Sequence, residues 1–343
     1  MQQPTFAERR EAARVVLLAE AIEAIDAAAH EARYRVHRVL KGDWKSHKEP
    51  RIALSGEQAP RPGTLAILLA EPAWSAIPVD ETSAAYFVRA PALRLPAAER
   101  LPYFVPYLEY RDAAVAGDAH AEFGRAALDD VARVARLVPM ASLRAWIVDD
   151  DVRETHKGLY GLLLGLASDE TDRRLNTELL ERLIAAPSND FRAGFDGVLG
   201  GYLLLSGEPG LERLGQRFIA NKSAAHGDVL HLLTALRFYR EYGKEISPAR
   251  LAQAVRPLLT RPEFAAAVIV DLARWQAWDA TPEVVRLATV ADNADPAVQR
   301  AAIGYLLACP SDEARRVLSE LRVTAPERVA EAERAGALFG AGR

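Results

Sequence analysis

Two histidines near the middle of the chain are the first candidates for metal binding or acid–base chemistry. His226 lies two residues before Asp228 and five residues before His231. Ligands on one face of a helix are spaced three or four residues apart. His226 has this spacing to neither Asp228 nor His231. The alternative is that Asp228 caps the start of a helix, with His231 in its first turn. The spacing favours this capping role over a metal site.

A second segment combines charged and aromatic side chains at a predicted helix end. Arg237, Tyr239 and Arg240 form a candidate partner-binding surface, because arginine and tyrosine are enriched in the residues that dominate binding energy at interfaces. Gly243 is expected to end this helix. The competing interpretation is ordinary packing and capping by the same residues.

Two tryptophans three residues apart precede an aspartate, at Trp275, Trp278 and Asp279. HEAT-like DNA glycosylases use aromatic residues with an aspartate on a concave basic face, and this segment resembles them in residue types alone. The two tryptophans join the candidate partner-binding surface. The competing interpretation is that they pack in the core and that Asp279 caps a helix.

Basic residues are concentrated near the end of a predicted strand in the first fifty residues, with one tryptophan among them. An exposed strand of this kind can contact a nucleic-acid strand or an acidic partner, and Arg35, His37 and Trp44 are its candidate contact residues. Charge on an edge strand also blocks aggregation, which is the competing interpretation. The cluster comprises Arg33, Arg35, His37, Arg38, Lys41, Lys45 and Lys48.

The sequence contains no motif that is diagnostic of catalysis. G-x-S-x-G, H-E-x-x-H and a glycine-rich phosphate loop do not occur in it. Cys309 is the one cysteine, which excludes an intrachain disulfide and a zinc site built on cysteines. It is expected to be a packed thiol whose pKa no neighbour lowers. The sequence therefore predicts no catalytic residue, no metal site and no cofactor, and it favours a protein that is not an enzyme.

Composition limits the class of partner and the compartment. Half of the 343 residues are hydrophobic, 26% are charged, and the net charge of −4 argues against nucleic acid as the main partner. No run of about 18 apolar residues occurs, so no transmembrane segment is expected. The first residues of the sequence do not have the pattern of a signal peptide. The expected location is the cytoplasm as the sequence stands, or outside it if Met1 replaces a removed signal peptide.

The first 95 residues predict a small β-rich domain. A short helix over 6–13 precedes strands over 14–22, 33–40, 50–55, 64–70 and 85–89, and residues 71–83 are predicted to be an irregular loop. Five short strands separated by turns favour a small barrel or sandwich. The predicted domain spans 1–95.

Residues 96–343 predict an all-helical array. Apolar residues recur there at three- and four-residue spacing, and capping residues precede the predicted helices. The sequence GYLL at 201–204 recurs at 304–307, with a shifted version at 160–164, and the units run to roughly 35–50 residues, the size of HEAT-like helix pairs. Gly158, Gly161 and Gly165 indicate close helix packing. The predicted fold class is α+β, mainly α: a five-stranded barrel or sandwich followed by a HEAT-like α-solenoid.

The strand pattern carries a resemblance to a known type of protein. The buried strand around residues 13–20 and the sequence YRVHRVLKG at 34–42 resemble the start of OB-like, netrin/TIMP-like domains. The whole chain resembles uncharacterised bacterial proteins, of planctomycete type, that join such a domain to a HEAT-like array. The resemblance implies a binding module and no known reaction.

The sequence therefore favours a non-enzymatic scaffold that holds a protein or peptide partner on the concave face of its helical array. The alternatives are a nucleic-acid-binding or DNA-processing HEAT-like protein, and an enzyme whose site assembles from distant positions. The oligomeric state is left open.

Overall fold

The computed structural model describes residues 4–26, 30–45, 48–55, 61–186, 192–289 and 295–340, and for 336–340 the backbone alone. Over these residues the protein is mainly helical and has one five-stranded antiparallel sheet, in agreement with the predicted α+β class. The chain forms two compact units, Met1–Leu143 and Arg144–Arg343. The first unit contains the sheet together with helices that lie beyond residue 96. The predicted division into domains 1–95 and 96–343 stays a prediction.

The sheet of the first unit has the strand order β3–β2–β1–β4–β5. Its core contains Leu17, Tyr34 and Leu68, which are fully buried. In β2 the alternation of polar and apolar residues places Tyr34 inward and Arg35 outward, as the period-two pattern predicts. The strands are β1 (Val16–Asp26), β2 (Glu31–Lys41), β3 (Arg51–Ala53), β4 (Leu65–Ala70) and β5 (Trp74–Val79).

The predicted fifth strand over 85–89 is wrong. Those residues lie in a helix that starts after Asp80, whose carboxylate accepts hydrogen bonds from the backbone N–H groups of Thr82 and Ser83 at 2.8 and 2.7 Å. This cap overrides the strand preference of the aromatic residues that follow. The fifth strand is instead β5, inside the predicted irregular loop. Pro78 is tolerated there because β5 is at the end of the strand order, where one side of the backbone needs no ladder partner.

A largely buried carboxylate on α4 links three helices of the first unit. Asp118 accepts hydrogen bonds from the backbone N–H of Phe6 and from the hydroxyl of Tyr86, both at 2.6 Å. Burial raises the pKa of Asp118 to about 6, and these hydrogen bonds lower it by less. The helices are α1 (Phe6–Ala12), α2 (Glu81–Arg89), α3 (Ala97–Phe104), α4 (Ala113–Arg125) and α5 (Leu128–Val134).

The second unit consists of consecutive helices with short connections. Predicted caps are present: the Ser247 hydroxyl accepts from the N–H of Arg250, and Asp295 accepts from Ala297. Among the described residues, no helix combines the length and apolar character needed to cross a membrane. The helices are α6 (Met140–Val148), α7 (Glu154–Ala167), α8 (Glu170–Ala185), α9 (Phe195–Leu214), α10 (His226–Tyr242), α11 (Pro248–Val255), α12 (Pro262–Arg274), α13 (Thr281–Thr289), α14 (Pro296–Ala308), α15 (Asp312–Thr324) and α16 (Pro326–Gly340).

Helix α9 is interrupted near its middle. Gly207 has φ +56° and ψ −139°, a conformation that glycine adopts without steric cost. The chain is helical over 195–206, and it is helical again from 208 into a π-helical segment, Gly215–Ala220. The sequence Ser206-Gly207-Glu208-Pro209 lies at this interruption, so α9 comprises two successive helices.

Helices α7 and α9 pack through glycines. A Cβ atom on Gly201 would lie 1.9 Å from the carbonyl oxygen of Gly161, and a Cβ on Gly165 would lie 2.7 Å from the Cα of Gly201. A Cβ on Gly161 would lie 2.6 Å from the Cα of Val198. The two backbones are therefore closer than any side chain allows, which confirms the close packing predicted from Gly158, Gly161 and Gly165.

Protonation of Asp118 is expected to stabilise the fold. Because its pKa is raised by folding, the stabilisation is fully present below about pH 4 and is lost as the pH rises through about 6. Asp118→Asn should remove on the order of 3 kcal/mol of pH dependence in the free energy of unfolding between pH 4 and 7. Denaturant titrations across that range measure it, and parallel pH profiles for the two proteins would contradict the assignment.

Gly201→Ala is expected to lower the free energy of unfolding by about 1–3 kcal/mol, since the new methyl group must push two backbones apart. Gly304→Ala is the matched control, because a Cβ there meets nothing within 4 Å and alanine favours the helix. Denaturant titration of both variants measures the difference. Equal stability of the two variants would show that the α7–α9 contact is looser than described.

Candidate functional site

The residues chosen from the sequence differ in burial and in the contacts they make. Arg35 and His37 lie on the exposed face of β2, where both contact the Glu20 carboxylate, at 3.5 and 3.3 Å. Arg35 also lies 3.4 Å from Glu49. These acidic neighbours neutralise part of the predicted basic cluster. Trp44 is half-buried and packs edge-to-face on Trp74, with ring centroids 5.8 Å apart, against the core of the sheet.

Tyr239 does not reach the surface. It is 1% exposed, and its hydroxyl oxygen accepts a hydrogen bond from the backbone N–H of Glu245 at 3.2 Å. Tyr160, Tyr202 and Tyr305 are buried to the same degree. Tyr202 and Tyr305 belong to the repeated GYLL sequence, and Tyr160 to its shifted version. Tyr239 therefore packs as these tyrosines do, while Arg237 on the same helix is partly exposed.

Both residues of the tryptophan pair are partly buried, and Trp278 packs on another ring. Trp278 is half-buried, and its ring contacts the buried ring of Tyr305 edge-to-face at 5.1 Å. Trp275 is half-buried at the end of α12. The Asp279 carboxylate accepts a hydrogen bond from Arg256 at 2.8 Å. This arrangement gives the segment a structural role of the kind that the packing interpretation predicts.

The histidine segment has no common ligand position. Helix α10 begins at His226, so Asp228 lies in the first turn and the predicted N-cap position for Asp228 is wrong. Asp228 instead accepts two hydrogen bonds from Arg192, at 3.2 and 2.7 Å. His226 stacks on Phe264 with 4.7 Å between ring centroids, whereas His231 contacts Asp196 at 3.1 Å. The two histidines therefore serve different contacts.

Cys309 is buried, as expected, but its neighbours do perturb it. Its sulfur lies 3.3 Å from the hydroxyl of Ser311 and 3.5 Å from that of Thr281. Burial raises the pKa of this thiol, and the hydrogen bonds lower it by more, so that its pKa lies below the usual value. The expectation that no neighbour lowers its pKa is wrong.

The strongest candidate site is a groove in the second unit that sequence reasoning did not select. It has a volume of about 560 Å³ and lies between α10, α12, α14 and α16. On α12, α14 and α16 the lining residues include positions three or four apart, so each of these helices presents one face to the groove, and α10 contributes Arg237. The lining residues are Arg237, Ala266, Ala267, Val270, Asp271, Ala273, Arg274, Ala297, Arg300, Ala301, Gly304, Tyr305, Ala332 and Ala335. Alanine and glycine predominate, which leaves the groove wide and apolar.

One ion pair fixes the polar part of the groove. Asp271 is 1% exposed, and both of its carboxylate oxygens accept a hydrogen bond from Nε of Arg237, at 2.8 and 2.9 Å. Burial raises the pKa of Asp271, and the bond to Arg237 and the charges of Arg237 and Arg274 offset part of that rise. The Arg237 side chain is 41% exposed. A buried carboxylate thus holds a partly exposed guanidinium in the groove.

Two further arginines line the groove. Arg274 is exposed and has no hydrogen bond or ion pair with any residue that the structure describes. Arg300 lies one helix further on, and its Nε contacts the Glu331 carboxylate at 2.9 Å with both side chains about half exposed. Three arginines and one buried carboxylate therefore stand among small apolar residues. This arrangement can bind apolar side chains and an anion together.

Arg240, another candidate residue, does not line this groove. It is partly buried, and its Nε has no hydrogen-bond partner within the described ranges. Of the eight candidate surface residues, Arg237 alone belongs to the groove. The chain matches no protein-family model, no curated protein and no solved structure.

Arg237→Gln is expected to lower the free energy of unfolding by about 2–3 kcal/mol at pH 7, because it leaves the buried Asp271 carboxylate without a charged partner. The loss should shrink at lower pH, since a protonated Asp271 needs no cation. Arg300→Gln, which changes an exposed pair, should stay within about 0.5 kcal/mol of the parent protein. Denaturant titrations at pH 5 and 7 measure both, and equal losses for the two variants would contradict the role of Asp271.

Proposed function

We propose that the protein is a non-enzymatic binding protein that holds a segment of a partner protein in the groove of its second unit. The observation that carries this proposal is the groove lining: α12, α14 and α16 present alanine and glycine to an open space of about 560 Å³, and α10 adds Arg237. Small side chains let an incoming helix or extended chain come close to the scaffold. The apolar lining offers burial of apolar side chains as the source of binding energy.

A helical-repeat architecture supports this function. One layer contains α7, α9, α10, α12, α14 and α16, in which α7 packs on α9, α9 on α10, α12 on α14, and α14 on α16. In the second layer, α13 and α15 pack on each other in the same way. Two parallel layers of this kind are typical of HEAT-like arrays, in which the first or second helices line an extended binding face. The groove lies along the first layer.

The sheet of the first unit supports an OB-like barrel. Strand β1 pairs with both β2 and β4, and β3 and β5 are the ends of the strand order. These ends meet: Leu54, just after β3, forms a parallel bridge with Trp74 at the start of β5, and Ser55 N–H donates to the Trp74 carbonyl at 2.8 Å. Closure through this bridge is typical of a five-stranded barrel. An OB-like domain joined to a helical array is the combination that the sequence resemblance implies.

The nucleic-acid alternative has weaker support. Binding to phosphates requires a concentrated field of uncompensated positive charge. On β2, Arg33 lies beside Glu23, and Arg35 lies beside Glu20 and Glu49. The net charge of the chain is −4. A protein or peptide partner is therefore the better match to the observed charges.

Filling the groove is expected to weaken the binding of peptides. The full chain is used to select binders from a displayed library of random peptides, and the selected peptides are then measured against Gly304→Leu. A leucine at this open position projects into the groove, and binding should weaken at least about tenfold through lost contact area.

Gly215→Leu is the matched control, because Gly215 is equally open and lies outside the groove. It should bind the selected peptides as the parent does. Peptides that bind Gly304→Leu and the parent equally, or a library that yields no binder, would refute the proposed function.

A further inference from the structure

We propose that the groove recognises an acidic segment, with Arg237 as the carboxylate-binding residue and Asp271 as the residue that positions it. This inference rests on the proposed function, because it names the chemistry of the segment that the groove would hold. The ligand is a stretch of partner chain in which aspartate or glutamate alternates with apolar side chains.

The geometry of Arg237 carries the argument. A guanidinium has five N–H donors, and Asp271 engages the one on Nε. The four donors on the two terminal nitrogens make no hydrogen bond to any described residue, and 41% of the side chain is exposed in the groove. Two terminal nitrogens of a fixed guanidinium match the two oxygens of a carboxylate. Arg237 is therefore oriented before a ligand arrives.

Orientation lowers the entropic cost of binding. A free arginine side chain loses rotamer entropy when it binds a ligand, and part of that loss has already occurred in Arg237 because the buried Asp271 holds it. Asp271 is 1% exposed on α12, so its carboxylate cannot reach solvent unless the packing around that helix changes. The carboxylate is thus a rigid anchor, and the arginine attached to it is a preformed anion site.

The rest of the lining matches an acidic and apolar segment. Arg274 adds a second cation, which has no ion pair or hydrogen bond with a described residue, and Val270 in the lining is 38% exposed. Arg300 is partly neutralised by Glu331 and contributes less. The floor is alanine and glycine, which offers no hydrogen bond to a polar uncharged ligand. The arginines of the groove therefore attract acidic groups, and its alanine and glycine residues contact apolar side chains.

A set of synthetic peptides tests the preference for acid. The peptides are fluorescein-labelled and identical except at two positions, which are both glutamate, both glutamine or both lysine among alanine and leucine. Fluorescence anisotropy with the full chain measures each dissociation constant. The glutamate peptide should bind at least about tenfold more tightly than the glutamine peptide, and more weakly as salt increases. Binding of the lysine peptide should be the weakest.

Asp271→Asn separates positioning from simple charge attraction. The variant makes the groove more positive by one charge, so attraction alone predicts tighter binding of the glutamate peptide. Loss of positioning predicts binding about tenfold weaker. Arg237→Lys keeps the charge and removes the second and third donor nitrogens, and it should weaken binding similarly. Asp150→Asn, an exposed change of the same charge outside the groove, is the control and should leave binding unchanged.

The outcomes separate this inference from the proposed function. Equal affinities for the glutamate and glutamine peptides, with both lost in Gly304→Leu, would overturn the acidic preference and leave the groove function standing. Tighter binding by Asp271→Asn would overturn the positioning role. A glutamate peptide that binds Gly304→Leu as well as the parent would overturn both proposals, as would a labelled single-stranded oligonucleotide that displaces the glutamate peptide from the parent.

Discussion

A carboxylate that is removed from water has to be paired, and Asp271 imposes that constraint on the second unit. It lies 1% exposed in an apolar helix, and Arg237 on the neighbouring first-layer helix α10 supplies the compensating charge. Buried pairs of this kind contribute little to stability when compared with apolar residues of the same size. Their structural effect is to fix geometry. Here the pair fixes an arginine at the border of an apolar groove, and the proposed recognition depends on that position.

Small residues make the groove and the close packing possible for the same physical reason. Glycines let α7 and α9 approach until a Cβ atom would overlap a carbonyl oxygen, and the tight contact holds those helices in a defined register. Where α12, α14 and α16 face the groove, alanine and glycine have no neighbour to fill the space they leave. Small residues therefore allow close contact between α7 and α9, and they leave open space between α12, α14 and α16.

Much of the fold follows from local sequence signals. The helix caps, the glycine packing and the first four strands could be predicted, because each depends on a few neighbouring residues. The prediction of a strand at 85–89 was wrong because the Asp80 cap, five residues earlier, makes that segment helical. Strand β5 was missed because Pro72 before it and Pro78 within it suggest a loop. The start of α10 was predicted three residues too late, because no side chain caps the observed start.

The groove was harder to predict, because its parts come from four helices. Arg237 was selected for its residue type, but its partner lies 34 residues away. One signal was available: Asp271 is a single acid inside the apolar run of α12, and such a residue requires a cation in space. The burial of Tyr239 had a signal too, since it matches the repeated tyrosines. The pairing of Asp271 with Arg237 in particular needed the structure.

The most direct test of the account is amide hydrogen exchange of the full chain with and without a saturating acidic peptide that binds it. The account predicts slower exchange in α10, α12, α14 and α16, where the groove-lining residues lie, and unchanged exchange in the sheet. Protection confined to β2, or to helices that do not line the groove, would contradict the claim that this groove is the binding site.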